Sequence, residues 1–158
     1  MASDRLWGNR TEKVVILDSS AIMMLFEFSI DLEGELTRLL GRYHVVVPSP
    51  VHTELTVLSL RGDGKKYRMA KASLKLIERY ELVKVDEKMA DDALFYLAKE
   101  TNGIVVTNDK ELRGRLKEIS LSVIFYVQKN DWYWSDAFNS MCYIPLHKSE
   151  FQNMHINP

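Results

Sequence analysis

Val14-Val15-Ile16-Leu17-Asp18-Ser19-Ser20 places four apolar residues directly before an acid and two hydroxyls. A continuous apolar run of that length, rich in β-branched residues, predicts a strand covered on both faces, which is the setting of a parallel sheet. An acid that ends a buried strand is costly unless something meets it, so Asp18 needs a partner. Outward from this stretch, four more runs have strand character: Val45-Val46-Val47, Leu82-Val83-Lys84-Val85, Ile104-Val105-Val106 and Val123-Ile124-Phe125-Tyr126. Helical patterns fall between them, at roughly residues 31–43, 50–60, 65–80, 88–102 and 110–119. In the helix from Lys65, Met69, Ala72, Leu76 and Ile77 share one side, with Lys66, Lys71, Lys75 and Arg79 elsewhere. Strands alternating with helices predict an α/β fold with a mainly parallel sheet of about five strands.

Punctuation agrees with these boundaries. Pro48 and Pro50 follow the second strand, and Pro50 suits the first turn of a helix. Gly62-Asp63-Gly64 breaks the chain before the basic helix. Asn108-Asp109-Lys110-Glu111 has the form of a capping box with Asn108 as the cap. The pattern fails after about Lys129, where Trp132, Tyr133, Trp134, Phe138, Cys142 and Tyr143 follow without clear periodicity. The expected organisation is an N-terminal tail over 1–13, one domain over 14–128, and a docked arm or a disordered tail over 129–158.

Composition narrows the class. With 158 residues, 46% of them hydrophobic, the chain can bury one sizeable core, so one domain is expected. A net charge of −1 excludes a globally basic nucleic-acid binder and leaves only a local basic face for such contact. The single Cys142 cannot close an internal disulfide, which suits a reducing compartment. The longest apolar run, Ala21 to Phe26, is far short of the roughly 20 residues that span a bilayer. Residues 1–13 are polar and carry Asp4 and Glu12, unlike a signal peptide. A cytoplasmic chain without membrane contact is expected.

In an open parallel sheet, sites form beyond the carboxyl ends of the strands. Four of the five strands deliver an acid there. Asp18 follows Leu17, Glu54 lies on the helix after Val47, Asp91 and Asp92 open the helix after Val85, and Asp109 follows Val106-Thr107-Asn108. Carboxylates so placed repel one another unless a cation lies between them, and Mg²⁺ is a hard ion that takes carboxylate oxygens and keeps several waters. Each acid also has a plainer reading. Asp91, Asp92 and Asp109 could serve helix starts through capping and the dipole, and Glu54 could be a solvated side chain.

Four stretches carry a family resemblance: Val15-Ile16-Leu17-Asp18-Ser19-Ser20, Val47-Pro48 through Glu54-Leu55, Ala90-Asp91-Asp92-Ala93-Leu94, and Val106-Thr107-Asn108-Asp109-Lys110-Glu111-Leu112. They resemble, in order, the four acidic motifs of PIN domains, across Val14 to about Tyr126. The double Asp and the ending Ser122-Val123-Ile124-Phe125-Tyr126 resemble the ribosomal-RNA-processing branch found in archaea and eukaryotes. The resemblance implies a three-layer α/β/α fold and a metal-dependent endoribonuclease. It implies Mg²⁺ or Mn²⁺ held by Asp18, Glu54, Asp91 and Asp109, with Ser19 or Asn108 assisting. The zinc module of some processing relatives is excluded, because one Cys cannot build it.

Helical phase separates the paired acids. Residues three, four and seven apart share a face, so Asp91 aligns with Leu94 and Ala98, the core-facing side. Asp92 aligns with Phe95, Tyr96 and Lys99, a mixed face. Asp91 is therefore the expected ligand, with Asp92 either supporting it from behind or pairing with nearby basic side chains.

RNA contact is expected from basic residues near the acidic edge: Lys65, Lys66 and Arg68, with Arg61 beside them, and Arg113 and Arg115, with Lys117 beyond. The plain alternative is a solvated basic face. Trp132 and Trp134 could stack on unpaired bases, or pack against the domain or a second subunit. His44, His52, His147 and His155 lack ligand spacing, and no nucleophile triad or phosphate-cradling glycine loop competes. Three functions follow: an RNA-processing endonuclease acting on ribosomal RNA precursors, a toxin ribonuclease of the VapC type, or a non-catalytic PIN module serving as an assembly surface. Their partners would be RNA, a ribosome-assembly factor or an antitoxin, and a homodimer is a further expectation.

Overall fold

The strand β1 (Lys13–Leu17) lies at the centre of the sheet, with β2 (Tyr43–Pro48) on one side and β4 (Ile104–Val106) on the other, both parallel to it. Its Val15, Ile16 and Leu17 are consecutive and fully buried, so both faces of the strand are covered. The computed structural model describes residues 12–61 and 64–125, together with the backbone of 126–127, 131–135 and 141–145. Within these, the remaining elements are α1 (Ser19–Glu27), α2 (Leu32–Leu40), α3 (Ser49–Leu60), α4 (Gly64–Ile77), β3 (Glu81–Val83), α5 (Ala90–Thr101), α6 (Lys110–Glu118), β5 (Val123–Val127), β6 (Asp131–Ser135) and β7 (Met141–Pro145). The strand order is β3-β2-β1-β4-β5-β6-β7. The first five are parallel, and β6 and β7 continue the sheet antiparallel. The α/β fold with a parallel five-stranded centre is the one expected from the sequence.

This order positions the site. From β1 the chain winds through β2 to β3, then crosses back to place β4 and β5 on the other side of β1. The winding reverses between β1 and β4, and a crevice opens at such a reversal, outside the carboxyl ends of the two strands. Leu17 pairs with Val106 in the last register position, so whatever follows each strand stands side by side. Beneath them, Ile22, Leu94, Leu112 and Ile124 are buried in the core. Each such side chain contributes about 1.5–3 kcal/mol by leaving water. No helix of the described residues is long and apolar enough to cross a membrane.

Several boundaries differ from the sequence expectation. Helix α1 was absent from it, although it contains the apolar run Ala21–Phe26. With Ala21, Ile22 and Leu25 buried and few polar residues between, it lacks the stripe that marks an amphipathic helix. Helix α2 ends at Gly41, whose φ of 73° suits glycine, so Tyr43 opens β2 rather than ending a helix. Strand β3 stops at Val83, and the Val85 N–H instead donates to Ser49 Oγ at 3.0 Å. The cap of α6 is Asp109, one residue later than expected: its Oδ1 accepts from the Leu112 N–H at 3.0 Å, while Asn108 Nδ2 contacts Met24 sulfur. Two strands, β6 and β7, lie where the sequence showed no periodicity. The tail over 1–11, the break at Gly62-Asp63, residues 128–130, 136–140 and 146–158, and the side chains of Trp132 and Trp134 lie outside the described residues.

Candidate active site

Asp18 sits at the N-cap position of α1, with extended backbone angles, yet its side chain caps nothing. Its carboxylate, only 4% exposed, instead accepts from Thr107 Oγ1 at 2.6 Å and Ser20 Oγ at 2.9 Å. Its own N–H donates to the Val106 carbonyl, which locks the end of β1 to the end of β4. Burial raises the proton affinity of Asp18 above the ordinary carboxylate value. The two hydroxyl donors oppose that rise and the charge of Glu54 adds to it.

Thr107 is fully buried, and its hydroxyl has two jobs. It donates to Asp18 and accepts from the Asp109 N–H at 3.1 Å. Both hydroxyl directions are thereby used, so the two acids are held in a fixed relation. Sequence reasoning assigned Thr107 no role of its own. The available signal was a hydroxyl directly after three valine-type residues at a strand end. Ser20 was likewise missed as a donor to Asp18.

Glu54, on α3, is exposed, as its position on the helix suggested, but it is tied to the site. Ser19 Oγ donates to its Oε1 at 2.7 Å, and Ser19 is the residue after Asp18. Asp91 opens α5 and is half-buried. Burial raises its pKa, as do the nearby charges of Asp109, Asp18 and Glu111, while Arg115 lowers it. The structure thus brings Asp18, Glu54, Asp91 and Asp109 to one edge, with Glu111 as a further acid beside them. Asp92 does not join. Its Oδ1 accepts from Arg115 at 2.9 Å, the basic pairing that helical phase allowed.

An edge of carboxylate and hydroxyl oxygens, with one buried acid holding its proton more tightly through burial and an acidic neighbour, has the donor chemistry of a hard divalent cation. Among the described residues, no three His, Cys, Asp or Glu side chains converge closely enough to enclose an ion by themselves. The arrangement is an open cup. It suits an ion that takes one or two carboxylates and completes its shell with water, the habit of Mg²⁺.

The basic residues fall in two places. Lys65, Lys66 and Arg68 are exposed at the start of α4, and Lys65 Nζ pairs with Glu27 on α1 at 3.1 Å. Arg115 is committed to Asp92, with its guanidinium 4.5 Å from the Phe95 ring centre. Arg113 lies over Phe125 at 4.1 Å, and desolvation lowers its pKa while Asp109 opposes that change.

Residues 15–129 match the family described as PIN like domain. The ribonuclease VapC4 of Methanocaldococcus jannaschii is 34% identical over 119 residues, covering 73% of this chain and 91% of that protein. The ribonuclease VapC9 of Archaeoglobus fulgidus is 29% identical over 123 residues, covering 78% and 89%. A solved structure of the PIN domain endonuclease Utp24 superposes with a TM-score of 0.61 at 26% identity, covering 73% of this chain and 86% of that one.

Proposed function

The chain belongs to the PIN-like domain family, and on that premise we propose that it is a metal-dependent endoribonuclease, hydrolysing RNA phosphodiester bonds at Asp18, Glu54, Asp91 and Asp109. The observation that carries the proposal is the Thr107 hydroxyl, which joins Asp18 to the backbone of Asp109 across the reversal in strand order. The relatives named as ribonucleases and an endonuclease support the same chemistry.

The four acids would hold Mg²⁺ or Mn²⁺. A bound divalent ion supplies positive charge for the phosphate and lowers the pKa of a water. The chain's own residues supply placement. Thr107 and Ser20 fix the Asp18 carboxylate by donating to it. Ser19 holds Glu54 towards the cup. Asp91 adds charge from the helix on the other side, and Asp109 stays oriented because one of its oxygens caps α6. The basic side chains of Lys65, Lys66, Arg68 and Arg113 would take the RNA backbone, and Arg115 keeps only the outer edge of its guanidinium for that purpose.

For the substrate, the reading is a ribosomal RNA precursor, with a ribosome-assembly partner; the paired Asp91-Asp92 and the ending Ser122–Tyr126 support it through their resemblance to that branch. A second reading, a toxin ribonuclease held by an antitoxin, is favoured by the two archaeal relatives' names. The intact acids argue against a purely structural module.

The test is RNA cleavage by the purified protein with Mn²⁺, with Mg²⁺ and with EDTA, alongside Asp18→Asn. Cleavage that needs the ion and Asp18 is expected, and absence of ion-dependent cleavage overturns the proposal. Growth arrest on expression, relieved by a small protein encoded next to the gene, selects the toxin reading. Accumulation of uncut ribosomal precursor on depletion selects the processing one.

A further inference from the structure

Between α6 and β5 lies a groove of about 270 Å³, lined from Lys110, the residue after Asp109, to Lys117 along the helix. One wall is a single helical face, since Lys110, Arg113, Gly114 and Lys117 recur at three- and four-residue spacing. The floor is apolar, made by Leu121, Val123 and Phe125, alternate positions that share a side as the chain enters and follows β5. No acid lines it among the described residues.

Three features of this groove call for an occupant. Arg113 Nε is buried and has no hydrogen-bond acceptor among the described residues, and a buried donor without an acceptor is costly. Gly114 lies inside α6, where glycine weakens a helix, yet a Cβ built there meets no atom of the described residues within 4 Å. Packing does not require this glycine, whereas a chain laid against the helix backbone would. Finally, Arg113 stands one helical turn beyond Asp109, its N–H donating to the Asp109 carbonyl at 3.0 Å, so the groove begins next to the acidic edge.

We infer that the groove seats a nucleotide of single-stranded RNA adjoining the one that is cut. The backbone phosphate would lie along Lys110, Arg113 and Lys117, with the Arg113 Nε–H finding its acceptor there. The base or ribose would lie on the apolar floor beside the Arg113–Phe125 stack. This rests on the nuclease reading above and adds where the substrate lies. Charge and shape choose the occupant: three cations over an apolar floor suit a polyanion with flat faces to stack. A duplex keeps those faces inside its own stack, so an unpaired strand is the form that fits.

The experiment measures binding of a short labelled single-stranded RNA in EDTA, so that no cleavage intervenes. Gly114→Leu projects a side chain into the groove while improving helix propensity. It should raise the melting temperature and weaken RNA affinity roughly tenfold. Lys117→Ala should lower the slope of log affinity against log salt by about one. Wild-type affinity in Gly114→Leu overturns the inference, and so does an unchanged slope in Lys117→Ala; either outcome leaves the groove to a protein segment. Groove-dependent binding together with no ion-dependent cleavage overturns the nuclease reading alone, so the two failures are distinguishable.

Discussion

Thr107 Oγ1 stands 2.6 Å from an Asp18 oxygen although the two residues are 89 positions apart in sequence. The same hydroxyl receives the Asp109 N–H, so one buried side chain sets the relation between the acids that follow β1 and β4. Thr107→Val keeps the shape and removes both bonds. We expect it to cost about 1–3 kcal/mol for each buried group left unpaired, measured by denaturant unfolding. Cleavage should fall roughly 10–100-fold, the usual cost of losing a group that orients a ligand. Thr107→Ser should retain most of both. Wild-type activity in Thr107→Val would assign the hydroxyl to packing.

Asp18→Asn should lose nearly all cleavage while the fold survives. Its stability has a definite pH signature. Burial makes the folded chain hold the Asp18 proton more tightly than an unfolded carboxylate of pKa 3.8 does. The folded state therefore binds more protons in the window from 3.8 up to the folded value, and metal-free stability contributed by this group falls as pH rises through that window. Asn lacks that penalty. Without metal, Asp18→Asn should melt above the wild type at neutral pH and converge with it below pH 3.8. Added Mn²⁺ should raise the melting temperature of the wild type alone. A mutant that melts lower than metal-free wild type at neutral pH would refute this account of Asp18.

Asp91 and Asp92 should separate cleanly. Asp91→Asn removes charge from the acidic cup and should abolish nearly all cleavage. Asp92→Asn breaks the half-exposed pair with Arg115, which spans α5 and α6, and should lose much less. Single-turnover rates at saturating Mn²⁺ measure the difference, and the reverse order would mean that the face of α5 has been misread.

Replacing Lys65, Lys66 and Arg68 together by Ala should weaken RNA binding and flatten its salt dependence by roughly one unit of slope per lost phosphate contact. The Lys65–Glu27 pair is exposed and worth little, so it should not hold Lys65 back from a phosphate. An unchanged slope would leave these side chains to solvent.

The sequence made most of this fold legible because its strands are buried on both faces. Runs such as Val45-Val46-Val47 carry no alternation, and turn residues mark their ends. What escaped was structure specified by partners distant in sequence. Helix α1 is apolar around most of its surface, so no stripe announced it. Strands β6 and β7 form an antiparallel continuation whose pairing with β5 is set by register rather than by local pattern. In the site, the four acids were visible as strand-end residues, since topology alone carries them to one edge. Thr107 and Ser20 were not, because a hydroxyl shows its importance only once the acid it serves stands beside it. The cap of α6 slipped by one residue for the same reason: Asn108 and Asp109 both suit the role, and the engagement of Thr107 with the Asp109 N–H decides between them.

The crossing back from β3 to β4 has a kinetic consequence. Pairings between segments so far apart form slowly, because the loop between them must close before any contact rewards it. During synthesis the N-terminal strands, with Asp18 and Glu54, emerge first, but their partners at Thr107 and Asp109 do not yet exist outside the ribosome. The cup therefore cannot form before Thr107 and Asp109 have been made, and a chain cut short of them lacks the hydroxyl and the acid that complete it. A cut anywhere in the β3–α5 crossover would act in the opposite direction, severing the continuous chain between the two halves of the site and leaving only noncovalent contacts to hold them in place.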